Sequence, residues 1–402
     1  MLSVGIDVSK EKSTVCGMRH LGEIVFGPFE IAHTESDLSE LARMIVRLDD
    51  DTRVVMEATG IYHLPVATFL REQGLFVSII NPFVMKKYSS LSLRRAKTDK
   101  LDSIKIANYG IDNWFKLKRA KLNEGYYEQL RLLGRQYAHY IKISVSSRQA
   151  LIMITDRSMP GIKNIISSKR ADNPAKDKLC DFIERYWHYD TITKMSEKRF
   201  CSDYIAWAKK KGYRPNEAQA KKIYNAAKSG IPSISSNNPS TKMLVLEAVR
   251  VVKEINQTLN TILTQMQEIA ILMPEYDVVR NMKGVGDVLA VKLIAEIGDI
   301  RKYHSGNALI AYAGIDAPPY QSGNFYGTNR KISKRGSSLL RKVGYEAMRC
   351  LKSVKPIDDN AVYLYMLKKE AEGKPPKVAK IAALNKFLRI YFARVKEVYG
   401  NI

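Results

Sequence analysis

VGIDVSK, residues 4–10, sets an acid in the middle of a short β-branched run. A carboxylate buried in a strand is costly unless it is paired or bound to a cation, so Asp7 asks for a partner. Around it the alternation predicts three strands, about Leu2–Val8, Ser13–Met18 and Glu23–Glu30. A helix over Glu35–Leu48 follows, with apolar residues at 38, 41, 42, 45 and 46. A fourth strand, Arg53–Glu57, closes on a second acid in VVMEATG. Helix Tyr62–Gln73 and strand Leu75–Ile80 complete an alternating series. Three strands in hairpin style followed by helix and strand in alternation describe a mixed sheet of the ribonuclease-H type. In that architecture the first and fourth strands are central neighbours, which lets Asp7 and Glu57 meet.

Further along, KTDKLDS (97–103) spaces Asp99 and Asp102 by three, so both carboxylates fall on one face of a helix. Thr98 stands where a cap belongs, and the helix dipole relieves part of the repulsion; a pair of Mg²⁺ ions roughly 3.5–4 Å apart would relieve the rest. For this pair taken alone, a solvated helix start is the better account. All four acids placed on these elements point to a two-metal phosphodiester site.

The formal charge of +24 is unevenly spread. Residues 1–82 carry 7 basic and 12 acidic groups, whereas residues 83–122 carry 11 and 3, 161–230 carry 16 and 8, and 276–402 carry 23 and 11. Such asymmetry is the footprint of nucleic-acid binding through phosphate neutralisation. An acidic lipid surface is disfavoured because the charge is not gathered on one amphipathic helix. The four cysteines form no CxxC pair, which argues against zinc and disulfide frameworks and fits a reducing, cytoplasmic compartment. Neither a signal peptide nor a run of about 18 apolar residues is present, so no membrane partner is expected.

Leu130, Leu133, Tyr137, Ile141, Ser144 and Leu151 follow helical spacing, and Leu244, Ala248, Val251, Ile255, Leu259, Ile262, Met266 and Ile269 follow heptad-like steps. These two segments could pair as an antiparallel coiled coil or dimerise with a second chain; an ordinary core helix accounts equally well for the first and less well for the second. The stretch between them, with RYWHY and DYIAWAKKKGYR, reads as a basic helical insert able to touch nucleic acid. The last third opens with VRNMKGVGDVLAVKLIAEIGDIRKY (279–303), which resembles a helix-hairpin-helix; Lys283, Gly284 and Gly286 would let backbone N–H groups approach a phosphate. Arg94, Arg95 and Lys97 form a second candidate phosphate-binding cluster. A third follows Ser322, in a Pro- and Gly-rich loop just before Arg330, Lys331, Lys334 and Arg335. A hydroxyl there can attack a phosphodiester while the cations stabilise the developing charge. The spacing by itself fits a turn serine beside a DNA-binding patch better.

VGIDVSK, VVMEATG, NPFVMKKYSSLSLRRAKTDKLDSIKIA (81–107), MKGVGDVLAVKLIAEIGDI (282–300) and APPYQSGNFYG with ISKRGSSLLRK (317–342) occur in this order. The chain in this respect resembles the DEDD-type transposases of the IS one-ten insertion-sequence family, over about residues 1–155 and 241–350. The resemblance implies an α/β ribonuclease-H-like (RuvC-type) domain over 1–120, holding Mg²⁺ or Mn²⁺ on Asp7, Glu57, Asp99 and Asp102. It implies coiled-coil helices over 121–156 and 241–275 flanking the insert 157–240, and a mainly helical C-terminal transposase domain over 276–402 with Ser322 as nucleophile. It further implies a bacterial or archaeal, nucleoid-associated recombinase of double-stranded donor and target DNA. Its guide would be a structured non-coding RNA, the bridge RNA, and its assembly a dimer that meets another as a tetramer, with composite sites. The chain departs from shorter members in its basic insert. A metal-dependent junction-resolving nuclease, with water as nucleophile, is the rival reading.

Overall fold

The computed structural model describes residues 1–90, 98–120, 125–166, 176–318, 321–322, 325–326, 331–356 and 360–400, with 322, 325 and 326 as backbone only. Two compact units divide the chain, Met1–Leu122 and Asn123–Ile402.

The first unit is a mixed α/β layer. Its strands β1 (Leu2–Val8), β2 (Lys12–Arg19), β3 (Ile24–Ala32), β4 (Thr52–Glu57) and β5 (Phe76–Ile80) form one sheet in the order β3-β2-β1-β4-β5. β1 and β2 pair antiparallel, as do β2 and β3, whereas β1–β4 and β4–β5 are parallel. The predicted elements are present with boundaries moved by one or two residues, and β1 and β4 are neighbours as expected. The period of two sorts the side chains. Leu2, Val4, Ile6, Val8, Val54 and Met56 join the core under helices α1 (Glu35–Arg47) and α2 (His63–Glu72). The opposite face receives α3 (Pro82–Ser89) and α4 (Asp99–Asp112), with Val55, Met85, Ile106 and Leu117 buried between.

Two glycines let α4 lie hard on β1. A side chain on Gly5 would fall 2.3 Å from both Ala107 N and Ser103 O, and one on Gly110 would fall 2.1 Å from Ser3 Oγ. The Arg53 guanidinium fixes the far end, stacked 4.5 Å over Trp114 and 4.8 Å over Phe76 and donating to the Trp114 carbonyl.

The second unit is mainly helical. Two 33-residue helices, α5 (Tyr126–Ser158) and α11 (Pro239–Ile271), pack along each other. Leu130 shares a core with Met266, and Leu151 shares one with Val245, Val249 and Val252, so the pair is antiparallel within the chain. Between them α6 (Ile162–Ile165), α7 (Lys178–Arg185), α8 (Tyr189–Thr193), α9 (Glu197–Lys210) and α10 (Glu217–Ser229) build a cluster at one end. At the other end lie α12 (Tyr276–Arg280), α13 (Asp287–Ile297), α14 (Gly306–Ala313), the two-residue strands β6 (Gln321–Ser322) and β7 (Phe325–Tyr326), α15 (Ser338–Val354), α16 (Ala361–Ala371) and α17 (Pro376–Gly400).

The helix seam departs from the sequence expectation in one half of α11. The heptad seam of α11 holds from Leu259 onward, but upstream Leu244 and Val251 are exposed while Val245, Val249 and Val252 are buried. The reason is a second packing partner: α7 and the insert core lie against that half and recruit the neighbouring stripe. In the insert, Tyr186, Tyr189, Tyr204 and Trp207 of RYWHY and DYIAWAKKKGYR fill the core with Phe182 and Phe200. Among the described residues no helix is long and apolar enough to cross a membrane.

Candidate functional site

Strand register decides where the first two acids stand. β1 and β4 run parallel with Gly5 opposite Val55 and Ile6 opposite Met56, so one step on Asp7 lies beside Glu57. Both alternate with the core residues and therefore face α4; both are half-buried. The contacts of Gly5 and Gly110 then orient α4. Gly110 touches Ser3 and Ala107 touches Gly5, so the helix runs antiparallel to β1, and its first turn reaches the end of the strand that bears Asp7. That turn holds Asp99 and Asp102. It starts where the sequence predicts, Thr98 accepting from the Leu101 N–H at 3.2 Å.

All four acids thus share one face and one end of the sheet. Cations already stand among them: Lys105 pairs with Asp102 at 3.0 Å, and Lys12, bonded to Glu30 at 2.8 Å, is raised in pKa chiefly by Glu30 and slightly by Asp99. Asp7 and Glu57 each have a further interaction. No group of three or more His, Cys, Asp or Glu side chains close enough to hold a metal ion occurs among the described residues. On the other face Ser13 Oγ lies 2.8 Å from His33 Nε2, and burial holds that imidazole below its ordinary pKa.

In the second unit, Ser322 lies on β6 opposite Phe325 of β7. The base of this loop is clasped. Ser333 Oγ donates to Asp316 at 2.5 Å, the Ser333 N–H to the Asp316 carbonyl at 2.8 Å, and the Lys334 N–H to the Gly314 carbonyl at 2.9 Å. Lys334 holds a left-handed backbone, φ 55°, to make that bond. Below the clasp Ser337 caps α15 and donates to the buried Glu296 at 2.5 Å. Lys331, Lys334 and Arg335 are at or near the surface beside it.

The GVG turn enters α13 as expected, yet its two glycines differ. Gly284, at φ +83°, packs on the backbone of Leu351, and a side chain there would sit 2.7 Å from Leu351 Cβ. Internal packing therefore accounts for Gly284. Gly286, at the N-cap of α13, has open space around it, the setting a phosphate contact requires. Lys283 on the same turn is engaged in an interaction of its own. Arg94, Arg95, Lys97 and Arg330 lie outside the described residues.

A family model described as Transposase, for the DEDD type of the IS one-ten (IS110) group, matches residues 4–160, and one described as Transposase IS116/IS110/IS902 family matches residues 276–363. The chain belongs to the IS110 transposase family. As a transposase it is an enzyme of DNA transposition and recombination, with DNA as its partner. No curated protein matches the chain. The first match takes in the sheet, its acidic end and α5, and the second takes in the GVG turn and the clasped serine loop of the transposase. Residues 161–275, between them, lie in neither.

The Asp316–Ser333 and Glu296–Ser337 bonds of this transposase escaped the sequence. Their partners are separated by 17 and 41 positions with no periodic signal, and only the Ser-Lys-Arg-Gly turn hinted at a structured base.

Proposed function

We propose that this transposase cuts and rejoins double-stranded DNA, guided by a structured non-coding RNA, through a covalent phosphoserine link. Its first unit is read as a ribonuclease-H-like domain of the RuvC type. The observation that carries the reading is the shared face and end of Asp7, Glu57 and the first turn of α4. In donor chemistry the set suits a hard divalent cation, since all four groups offer carboxylate oxygens, and binding one would draw them closer than they stand here. Asp7, Glu57, Asp99 and Asp102 would hold Mg²⁺ or Mn²⁺, which supplies charge stabilisation at the phosphodiester. Lys105, paired with Asp102, yields that carboxylate when the cation is bound.

Ser322 acts as the nucleophile. Its Oγ gives up a proton and bonds to phosphorus while a phosphorus–oxygen bond to deoxyribose breaks; the departing oxygen takes up a proton, and the phosphoester bond energy is kept for rejoining. Lys331, Lys334 and Arg335, with Arg330, neutralise the phosphate. The reading is supported by the clasp from Asp316 to Ser333, which fixes the ends of the loop. Homodimers meeting as a tetramer would bring donor and target DNA together.

Denaturing electrophoresis of end-labelled DNA, with peptide mapping of the adduct, tests this. An adduct at Ser322 that disappears in Ser322→Ala, with nucleic-acid binding kept, is expected. Cleavage at the wild-type rate by Ser322→Ala would assign the reaction to water and the protein to the nucleases.

A further inference from the structure

The insert carries a helix whose outer face is cationic and otherwise small. α9 buries Phe200, Cys201, Tyr204, Trp207 and Ala208. At about 100° per residue, the opposite third of its circumference presents Lys198, Arg199, Ser202, Ala206, Lys209 and Lys210, all exposed. No acid and no aromatic lies on that face. The nearest carboxylate, Asp203, is taken by Arg185 at 2.6 Å and by Tyr186 at 2.5 Å. Other insert acids are likewise engaged: Asp177 with Arg148, Asp181 and Glu184 with Lys253, Asp190 with Ser236, and Glu217 with Lys221; Glu197, in the first turn of α9, lies about 100° off the cationic face. No ion pair within 4 Å holds Lys198, Arg199, Lys209 or Lys210 among the described residues, and their face carries net positive charge.

We infer that α9 is a docking helix for the major groove of duplex DNA, a role independent of the acidic residues and of Ser322 and resting on the family reading only for DNA as partner. In each of two cation pairs, Lys198 with Arg199 and Lys209 with Lys210, the side chains diverge by about 100°, one toward each wall of a groove about 12 Å wide, and the pairs stand ~16 Å apart along the axis. Between them Ser202 and Ala206 are small enough for the helix backbone to come close to base edges. The groove type follows from the same geometry. B-form DNA admits an α-helix in its major groove, whereas the major groove of A-form RNA is too narrow for side chains to read. A single strand would call for exposed aromatic platforms, and the insert has spent Phe182, Tyr186, Phe200, Tyr204 and Trp207 on its core.

Full-length protein, in chelator and without divalent ions so that strand cleavage plays no part, is titrated by fluorescence anisotropy across a salt series. The probes are a short random-sequence DNA duplex, the same duplex as RNA, and the single strand. The variant Lys198→Gln/Arg199→Gln/Lys209→Gln/Lys210→Gln should lower the log–log salt slope on duplex DNA by about 3 to 4 units, at roughly 0.9 per lost phosphate contact, and leave the RNA duplex slope unchanged. Ala206→Trp, which keeps every charge and faces solvent, should weaken duplex DNA binding at least tenfold by blocking entry. An unchanged DNA slope, an equal loss on RNA, or normal binding by Ala206→Trp would each overturn the assignment. Absence of a serine adduct in the earlier experiment would leave this result standing.

Discussion

Asp102 is where the chemistry and the local structure can be separated most cleanly. Its carboxylate is paired with Lys105 and is part-exposed, so replacing it with the isosteric amide removes charge without opening a cavity. Asp102→Asn, and likewise Asp7→Asn, should lower strand cleavage by several orders of magnitude while thermal unfolding moves by no more than a degree or two. Calorimetric titration with Mn²⁺ should show the weakened binding directly. Wild-type cleavage by either variant would remove the carboxylates from the reaction. Where these acids stand was legible from the chain: an acid inside a β-branched run, a second at a strand end, and a capped i,i+3 pair. Their neighbours were not, because Lys105 and Lys12 look like any exposed lysine until the helix and the sheet are brought together. Gly284 shows a further ambiguity, since a glycine that packs on Leu351 and one that admits a phosphate read alike in sequence.

α4 is the element on which the acidic site depends, and its docking rests on having no side chain at Gly5. Gly5→Val would force the Val side chain into the backbone at Ser103 and Ala107, so the helix must retreat from β1. The expected cost is about 1–3 kcal/mol in chemical denaturation, with cleavage falling much further than stability because two of the four carboxylates ride on that helix. Equal cleavage with the expected loss of stability would show that the spacing between strand and helix is not critical. The elements themselves were readable because local pattern and tertiary need agree in the sheet: β1 alternates Leu2, Val4, Ile6 and Val8, which join one core, with Ser3 and Gly5, small enough to admit α4 on the other face. In α11 they diverge. Leu244 and Val251 continue a good heptad, yet Val245, Val249 and Val252 are buried, because contacts from a cluster sixty residues upstream override the seam. A pattern within one helix cannot report a second partner.

For the whole molecule the governing quantity is charge, +24 over 402 residues and concentrated after residue 82. Binding to DNA should therefore fall steeply with salt. Lys334→Glu with Arg335→Glu should flatten the log–log dependence by about 2 units, one for each lost contact, and an unchanged slope would return those residues to the solvent. The antiparallel pairing of α5 and α11 has a consequence of another kind. Because the insert leaves and re-enters the chain at one end of a helical stalk, it is a cargo on a boom, and the boom has a unit of length. Removing seven residues from each helix at matched levels would draw the tip in by ~10.5 Å while keeping its heading nearly constant, whereas removing two or five would turn it by about 140–160° to the other side. The reach of this transposase is thus written in multiples of a heptad, and shortening by whole heptads offers a way to retune where its far end meets the DNA without altering a residue that touches it.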